Sequence, residues 1–553
     1  MTLSLSSPIS AFPLKRLFFP TSLKPSIPTP VFLSLSLAKH CLNMSSVPVS
    51  LPKYDFQTNW DVPQFSDDQM DAVADETLKR YSLSRDRKRN ESGVAIVWFR
   101  NDLRVLDNEA LFQAWKSSQA ILPVYCLDPR LFGTTHYFGF PKTGVLRAQF
   151  LIDCLANLKK NLMKRGLNLL IQHGKPEDIL PSIAKAFGAH TVYAHQETCS
   201  EEILVEKLLT NSLRRVVLPP VDIATSIPKT PKLQLIWGST MYHLDDLPFG
   251  SSNVPDVYTQ FRKSVESKCK IRGCIKIPPS LGPLPSGSLD EIGGWGCVPS
   301  LDQLGLNMEK HNGGMHFIGG ENAALARVNE YFWNKDLLRV YKETRNAMLG
   351  PDYSTKFSPW LAFGCLSPRY AYEEVKRYEK ERVANDSTYW VLFELIWRDY
   401  FRFLSIKYAN SIFHLGGPRR VKGLNWNQDM ALFESWRDGR TGLSVHFWSE
   451  TWVWTGAWEP SGLKLALWIM THVQIMEIGL MELAQTYDPE GEYVSYWLPE
   501  LRVLPKEKRH FPGTSYIKQV VPLKFGNANP RNSNQFKGQS HRGGFERRKG
   551  QRS

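Results

Sequence analysis

An N-terminal α/β domain with a doubly wound parallel sheet, followed by an all-α domain, is the fold class this sequence predicts, and one change of pattern carries the prediction. Short apolar runs alternate with helical stretches from Val94 onward; after about Gly320 the runs stop and aromatic, amphipathic helical sequence takes over. The strand candidates are Val94–Phe99, Ile121–Cys126, Leu167–Gln172 and Thr191–His195. Strands separated by helices form βαβ units, which implies a parallel, Rossmann-like sheet. Residues 92–229 are assigned to this domain and expected to fold alone. Residues 230–319 are read as an inter-domain connector, because prolines and glycines run throughout Pro219–Trp295. The helical domain takes 320–513.

The two ends differ from this middle. Met1–Tyr54 contains no acidic residue, is rich in Ser, Pro and Leu, and carries Lys15, Arg16, Lys24, Lys39 and Lys53, the composition of an organellar transit peptide. Prolines interrupt its apolar stretches, which argues against a secretory signal. Residues 1–91 are therefore read as transit peptide and disordered extension, with chloroplast or mitochondrion as destination. The last stretch, 514–553, is a basic tail rich in Gly, Arg and Asn; Arg542-Gly543-Gly544-Phe545 within it suits either a solvated tail or a weak binder of single-stranded nucleic acid.

A formal charge of +14 over 553 residues favours a polyanionic partner, and no apolar run approaches the ~18–20 residues of a membrane span. The eight cysteines are scattered, and Cys269 and Cys274 lack histidines at zinc spacing, so neither a disulfide framework nor a metal site is expected.

Chemistry concentrates in Tyr341–Arg369. Ser354 and Thr355 supply hydroxyls, Lys356 a cation, and Ser358-Pro359 reads as an N-cap followed by proline at the first helical position. Such a start suits a phosphate or pyrophosphate, the alternative being an ordinary capped core helix. Further on, Tyr389–Phe403 sets Glu394, Trp397 and Arg398 on one helical face, either as a site or as a core helix with one internal ion pair.

Together with Trp98–Leu111 (WFRNDLRVLDNEAL) and Tyr487–Tyr493 (YDPEGEY), these segments resemble the photolyase/cryptochrome family, and within it the DASH branch of plant organelles. The resemblance covers roughly Ser92–Gly513, with four motifs in order. It implies that the helical domain holds FAD, with Tyr341, Ser354, Thr355, Lys356, Phe357 and Ser358 along the phosphate and ribitol side. Glu394, Trp397 and Arg398 would lie where flavin meets a flipped pyrimidine dimer. Trp426 matches the outer member of a tryptophan relay. A folate-type antenna, 5,10-methenyltetrahydrofolate, is implied on the α/β domain, with Asp153 and Glu197 as candidate contacts or else surface carboxylates. The implied activity is light-driven repair of cyclobutane dimers in single-stranded DNA, with RNA as a further ligand and a monomeric state. Signalling without repair is the alternative. Val216–Pro231 is longer than the family requires and reads as a loop insertion.

Between Gly442 and Ala484 the resemblance fails, then resumes in register. Trp452–Pro460 (WVWTGAWEP), read with permitted codons from one nucleotide earlier, gives MGLDWRMGA; the same offset turns Trp468–Glu482 into VDYDPCSNYGNWTYG. Both hidden strings are family motifs missing from the chain. Residues 442–484 therefore read as a shifted frame with skipped segments on either side, which leaves half a flavin site and raises the reading of an inactive product that retains only nucleic-acid binding.

Overall fold

The computed structural model describes residues 65–83, 89, 93–134, 141–218, 230–287, 289, 292–307, 317–346, 350–413, 422, 488–497 and 499–510. Five parallel strands form one sheet in the order β3-β2-β1-β4-β5: β1 Val94–Phe99, β2 Ala120–Leu127, β3 Leu170–His173, β4 Ala189–His195 and β5 Lys232–Ile236. Helices α2 (Glu109–Ser117), α3 (Val145–Met163), α4 (Pro176–Ala186) and α5 (Ser200–Leu213) make the crossovers. The chain winds outward through β2 and β3, then returns past β1 to β4, so the fold is doubly wound as expected.

Side chains alternate along β1. Ala95, Val97 and Phe99 join the large core, while Ile96 and Trp98 join a smaller cluster with Leu180 and Ile183 of α4 and Leu209 and Leu213 of α5. The large core continues without a break into the helical half.

Three stretches differ from the sequence reading. Within residues 1–91, assigned to the extension, the structure has helix α1 (Asp67–Arg80); Ser66 and Gln69 form a capping box, and Met70, Ala74 and Leu78 are buried. The sheet also gains β5, which falls inside the presumed connector. Its sequence, KLQLI, sits at the sheet edge only partly buried, so it lacks the fully apolar run of an inner strand. Finally, 230–319 does not merely cross the surface: Trp237, Met241, Tyr242, Val254 and, on α6 (Tyr258–Lys268), Phe261 and Val265 are buried. The insertion at Val216–Pro231 lies mostly outside the described residues.

The helical half comprises α7 (Glu321–Asn329), α8 (Tyr341–Thr344), α9 (Ser358–Ala362), α10 (Pro368–Glu381) and α11 (Asp386–Tyr408), with α12 (Glu492–Trp497) near the end. Ser367 caps α10 and Asn385 caps α11. Asp488, within the YDPEGEY motif, accepts from the backbone N–H of Glu492, Tyr493 and Val494 and so caps α12. The two halves are joined by a buried polar clasp built on the Trp98–Leu111 motif. Asp107, fully buried, receives both Nε and Nη2 of Arg369 at 2.9 and 2.7 Å. Arg104 donates to the carbonyls of Leu106, Asp107, Gly238 and Gly364, and Glu321 accepts from the backbone N–H of Val105 and Leu106. Close approach is required here, since a Cβ on Gly364 would lie 2.0 Å from the carbonyl of Asn101.

Candidate functional site

The segment 350–357 links α8 to α9 and is shaped from beneath by Arg327 of α7. This guanidinium is fully buried and donates to the carbonyls of Pro351, Ser354 and Thr355 at 2.8, 3.1 and 3.2 Å. It also pairs with Glu330 at 3.1 Å and Asp352 at 3.3 Å, and Lys335 bridges the same two carboxylates. The loop held in this way turns at Lys356, whose φ of 59° is left-handed, a conformation that non-glycine residues seldom adopt. Its ammonium stands 3.3 Å from the centre of the Tyr353 ring. Burial, with Arg327 adding like charge, pushes the Lys356 amine down to about 7.

A partly buried ammonium next to a second cation, with the Ser354 and Thr355 hydroxyls adjacent in sequence, fits the diphosphate side of FAD: an anion there would offset the cost of burying the cation. The start of α9 differs from the sequence expectation. Ser358 is the first residue of α9 rather than its N-cap, which is Phe357, already in right-handed helical conformation. The turn begins one residue early because Lys356 takes the left-handed position before it. The five residues of α9 are too few to support an anion site by their dipole, so loop side chains carry the fit.

Tyr341 connects this cradle to the second cluster. It is buried, and its hydroxyl is pushed up to about 12, first by burial and then by the Glu394 charge, with the Arg345 charge opposing. Arg345 pairs with Glu394 and stacks over Trp390 at 4.4 Å. Partial burial holds the Glu394 carboxyl above its ordinary range while Arg345 opposes. The ion pair anticipated within α11 therefore exists between α11 and the segment after α8. Sequence reading missed Arg327 and Arg345, neither of which stands in a local pattern that marks it.

Trp397 and Arg398 have partners from other parts of the fold. Tyr258 stacks on the Trp397 indole with centroids 3.5 Å apart and planes 8° from parallel, and Phe401 stacks at 5.4 Å. Arg398 donates to the carbonyls of Ser239 and Leu361 at 2.7 and 3.2 Å. Next to it, Asp399 accepts from the backbone N–H of Met241 and Tyr242, and burial pushes its carboxyl up to about 7.

Glu197 is no surface carboxylate: it is buried, accepts from Asn101 Nδ2 at 3.0 Å and lies 3.6 Å from Arg402. It sits after β4, whose polar end is drawn into the contact between halves. Asp153 on α3 accepts from Gln149 Nε2 at 2.8 Å and from the Gly319 N–H at 3.2 Å, where a Cβ on Gly319 would meet the carbonyl of Phe150 at 2.1 Å. Trp426 and residues 442–484 lie outside the described residues. Among the described residues no helix is long and apolar enough to cross a membrane and no cluster of ligands could hold a metal.

A doubly wound sheet clasped to a helical half, with an anion cradle leading through a tyrosine to a carboxylate–arginine–indole cluster, defines a photolyase/cryptochrome type of protein. Residues 95–283 match the DNA photolyase family. The chain is 59% identical to "Cryptochrome DASH, chloroplastic/mitochondrial" of Oryza sativa subsp. japonica over 529 residues, covering 88% of this chain and 91% of that one. It is 56% identical to the protein of the same name from Arabidopsis thaliana over 509 residues, covering 84% and 86%. The crystal structure of the cryptochrome from Synechocystis superposes with a TM-score of 0.66 at 39% identity, over 77% of this chain and 92% of that one. The chain belongs to the cryptochrome DASH family, and its high-identity relatives carry chloroplastic/mitochondrial names, in keeping with the transit-peptide composition of its first residues. Membership implies a blue-light flavoprotein that binds FAD and interacts with nucleic acid.

Proposed function

We propose that the protein reverses cyclobutane pyrimidine dimers in single-stranded DNA under blue light, using FAD as donor and 5,10-methenyltetrahydrofolate as antenna. The observation that carries this reading is the Arg345–Glu394 ion pair, which holds a carboxylate of α11 close enough to the buried Tyr341 to act on its hydroxyl, in the same half as the anion cradle. When bound, FAD supplies the light-driven electron, and the chain positions the reactants. Lys356 would balance the charge of the diphosphate, on a loop whose carbonyls Arg327 holds. Glu394, tied to Arg345, offers a carboxylate that can accept a hydrogen bond at a base edge. Single strands are favoured because extruding a base costs least where pairing is absent. Asp153, which accepts from Gln149 and the Gly319 N–H, and Glu197, committed to Asn101 and Arg402, are the antenna candidates.

Glu394 beside the cradle favours repair over signalling alone. The alignment with the rice relative spans 529 positions yet takes in 88% of this 553-residue chain, so part of it is gapped on this side, as skipped segments around a shifted frame require. The chain as written is therefore expected to hold flavin weakly, and restoring the family's frame between Gly442 and Ala484 should recover both flavin and repair. Absorbance bands near about 370 and 450 nm, together with light-dependent loss of thymine dimers from an oligonucleotide, test both statements. Stoichiometric flavin and comparable repair in the unrestored chain would refute the frame reading; a restored chain with flavin but no repair would favour signalling.

A further inference from the structure

We propose that Arg327 is a positioning residue for the cofactor's diphosphate, one that sets the backbone of 351–357 through its guanidinium fork rather than attracting the anion by its charge. The inference rests on the flavin reading above. The fork spends its donors on the carbonyls of Pro351, Ser354 and Thr355, the turn that precedes Lys356. Its charge is met at Glu330 and Asp352, so little of it faces outward. Lys335 repeats the restraint from the outer side by bridging the same carboxylates at 2.9 and 2.8 Å. What is left to face an anion is Lys356, pinned in a left-handed turn that a free loop would abandon. Three points of attachment to carbonyls of one short turn, Pro351, Ser354 and Thr355, are a means of fixing backbone, and fixed backbone is what a diphosphate site needs, since its donors act only at hydrogen-bond range.

The test measures equilibrium binding of FAD, riboflavin and inorganic pyrophosphate by the full chain and by Arg327→Gln, Arg327→Lys and Lys335→Met. Arg327→Lys keeps the charge but cannot reach three carbonyls at once. Both Arg327 variants are expected to lose about tenfold in pyrophosphate affinity, the size typical for removing a group that orients a ligating one, with riboflavin affinity unchanged. Lys335→Met, at a partly exposed position, should lose about threefold in the same direction, and it decides the matter if the Arg327 variants fail to fold. Wild-type affinity in Arg327→Lys would overturn the proposal, because charge alone would then suffice. Equal losses for riboflavin and pyrophosphate would also overturn it, as would a wild-type chain without measurable pyrophosphate binding. A chain that binds pyrophosphate with the expected variant losses but holds no FAD would leave the positioning role standing and remove the flavin reading.

Discussion

The clasp and the cradle both bury charge, and they do so in opposite ways. At the clasp, Asp107 meets Arg369, Ser367 Oγ and the Ile275 N–H, and Glu321 meets two backbone N–H groups and Asn161. At the cradle, Lys356 rests against an aromatic ring, and the Arg327 charge disfavours its protonation. A fully partnered buried charge holds structure together. One left without a counter-charge is costly to keep, and a site that binds an anion supplies a reason to keep it.

The comparison breaks most visibly at Asp107. Asp107→Ala leaves Arg369 buried without its partner, and the expected loss is about 3–5 kcal/mol, read as a lower urea midpoint. For the same reason residues 92–229 expressed alone should not unfold cooperatively: the edge strand β5 and the partners Arg369, Glu321 and Gly364 all lie outside that segment. A sharp thermal transition from the isolated segment would show that the clasp is dispensable.

Lys356→Met should act in the other direction. Folding lowers the lysine's affinity for protons, so between about pH 7 and its ordinary value of 10.5 the unfolded chain binds a proton the folded one lacks. Wild-type stability attributable to this group therefore rises with pH across that window and is lowest below pH 7. The methionine variant should lose that rise, gain stability at neutral pH, and lose pyrophosphate binding. Thermal midpoints at pH 7 and pH 9.5 measure the difference, and an unchanged difference between the two pH values would mean that Lys356 is well solvated.

How much was legible follows from the kind of residue. Val94–Phe99 was readable to the residue because an inner parallel strand is apolar on both faces, whereas β5 was not, being a partly exposed edge of KLQLI after a run of prolines. The Trp98–Leu111 motif was visible as a signature, but its work as a clasp was not, since Asp107 and Arg369 are brought together across 262 residues. Ser354, Thr355 and Lys356 were found by type. Arg327, which shapes them, was hidden because a buried arginine within an apolar helix has no local pattern to mark it. Trp397 was correctly placed beside Glu394 on α11, yet the ring that stacks on it, Tyr258, comes from a stretch that read as connector.

The smallest structural effect belongs to Glu394, and there the separation of stability from function is sharpest. Its pair with Arg345 is partly exposed, with side chains 40% and 26% accessible, so Glu394→Ala should change stability by less than about 1 kcal/mol. Flavin content should stay near that of the frame-restored parent, because the carboxylate lies across Tyr341 from the cradle rather than in it. Repair of single-stranded dimers should nevertheless fall by about tenfold or more, the scale of one lost hydrogen bond to a charged group. Binding of undamaged single strands should keep its steep weakening with salt, since counterion release depends on the basic surface and not on this carboxylate. Measured side by side, a loss of flavin that matches the loss of repair would place Glu394 in the cradle, and a fall in repair at constant flavin would place it at the lesion.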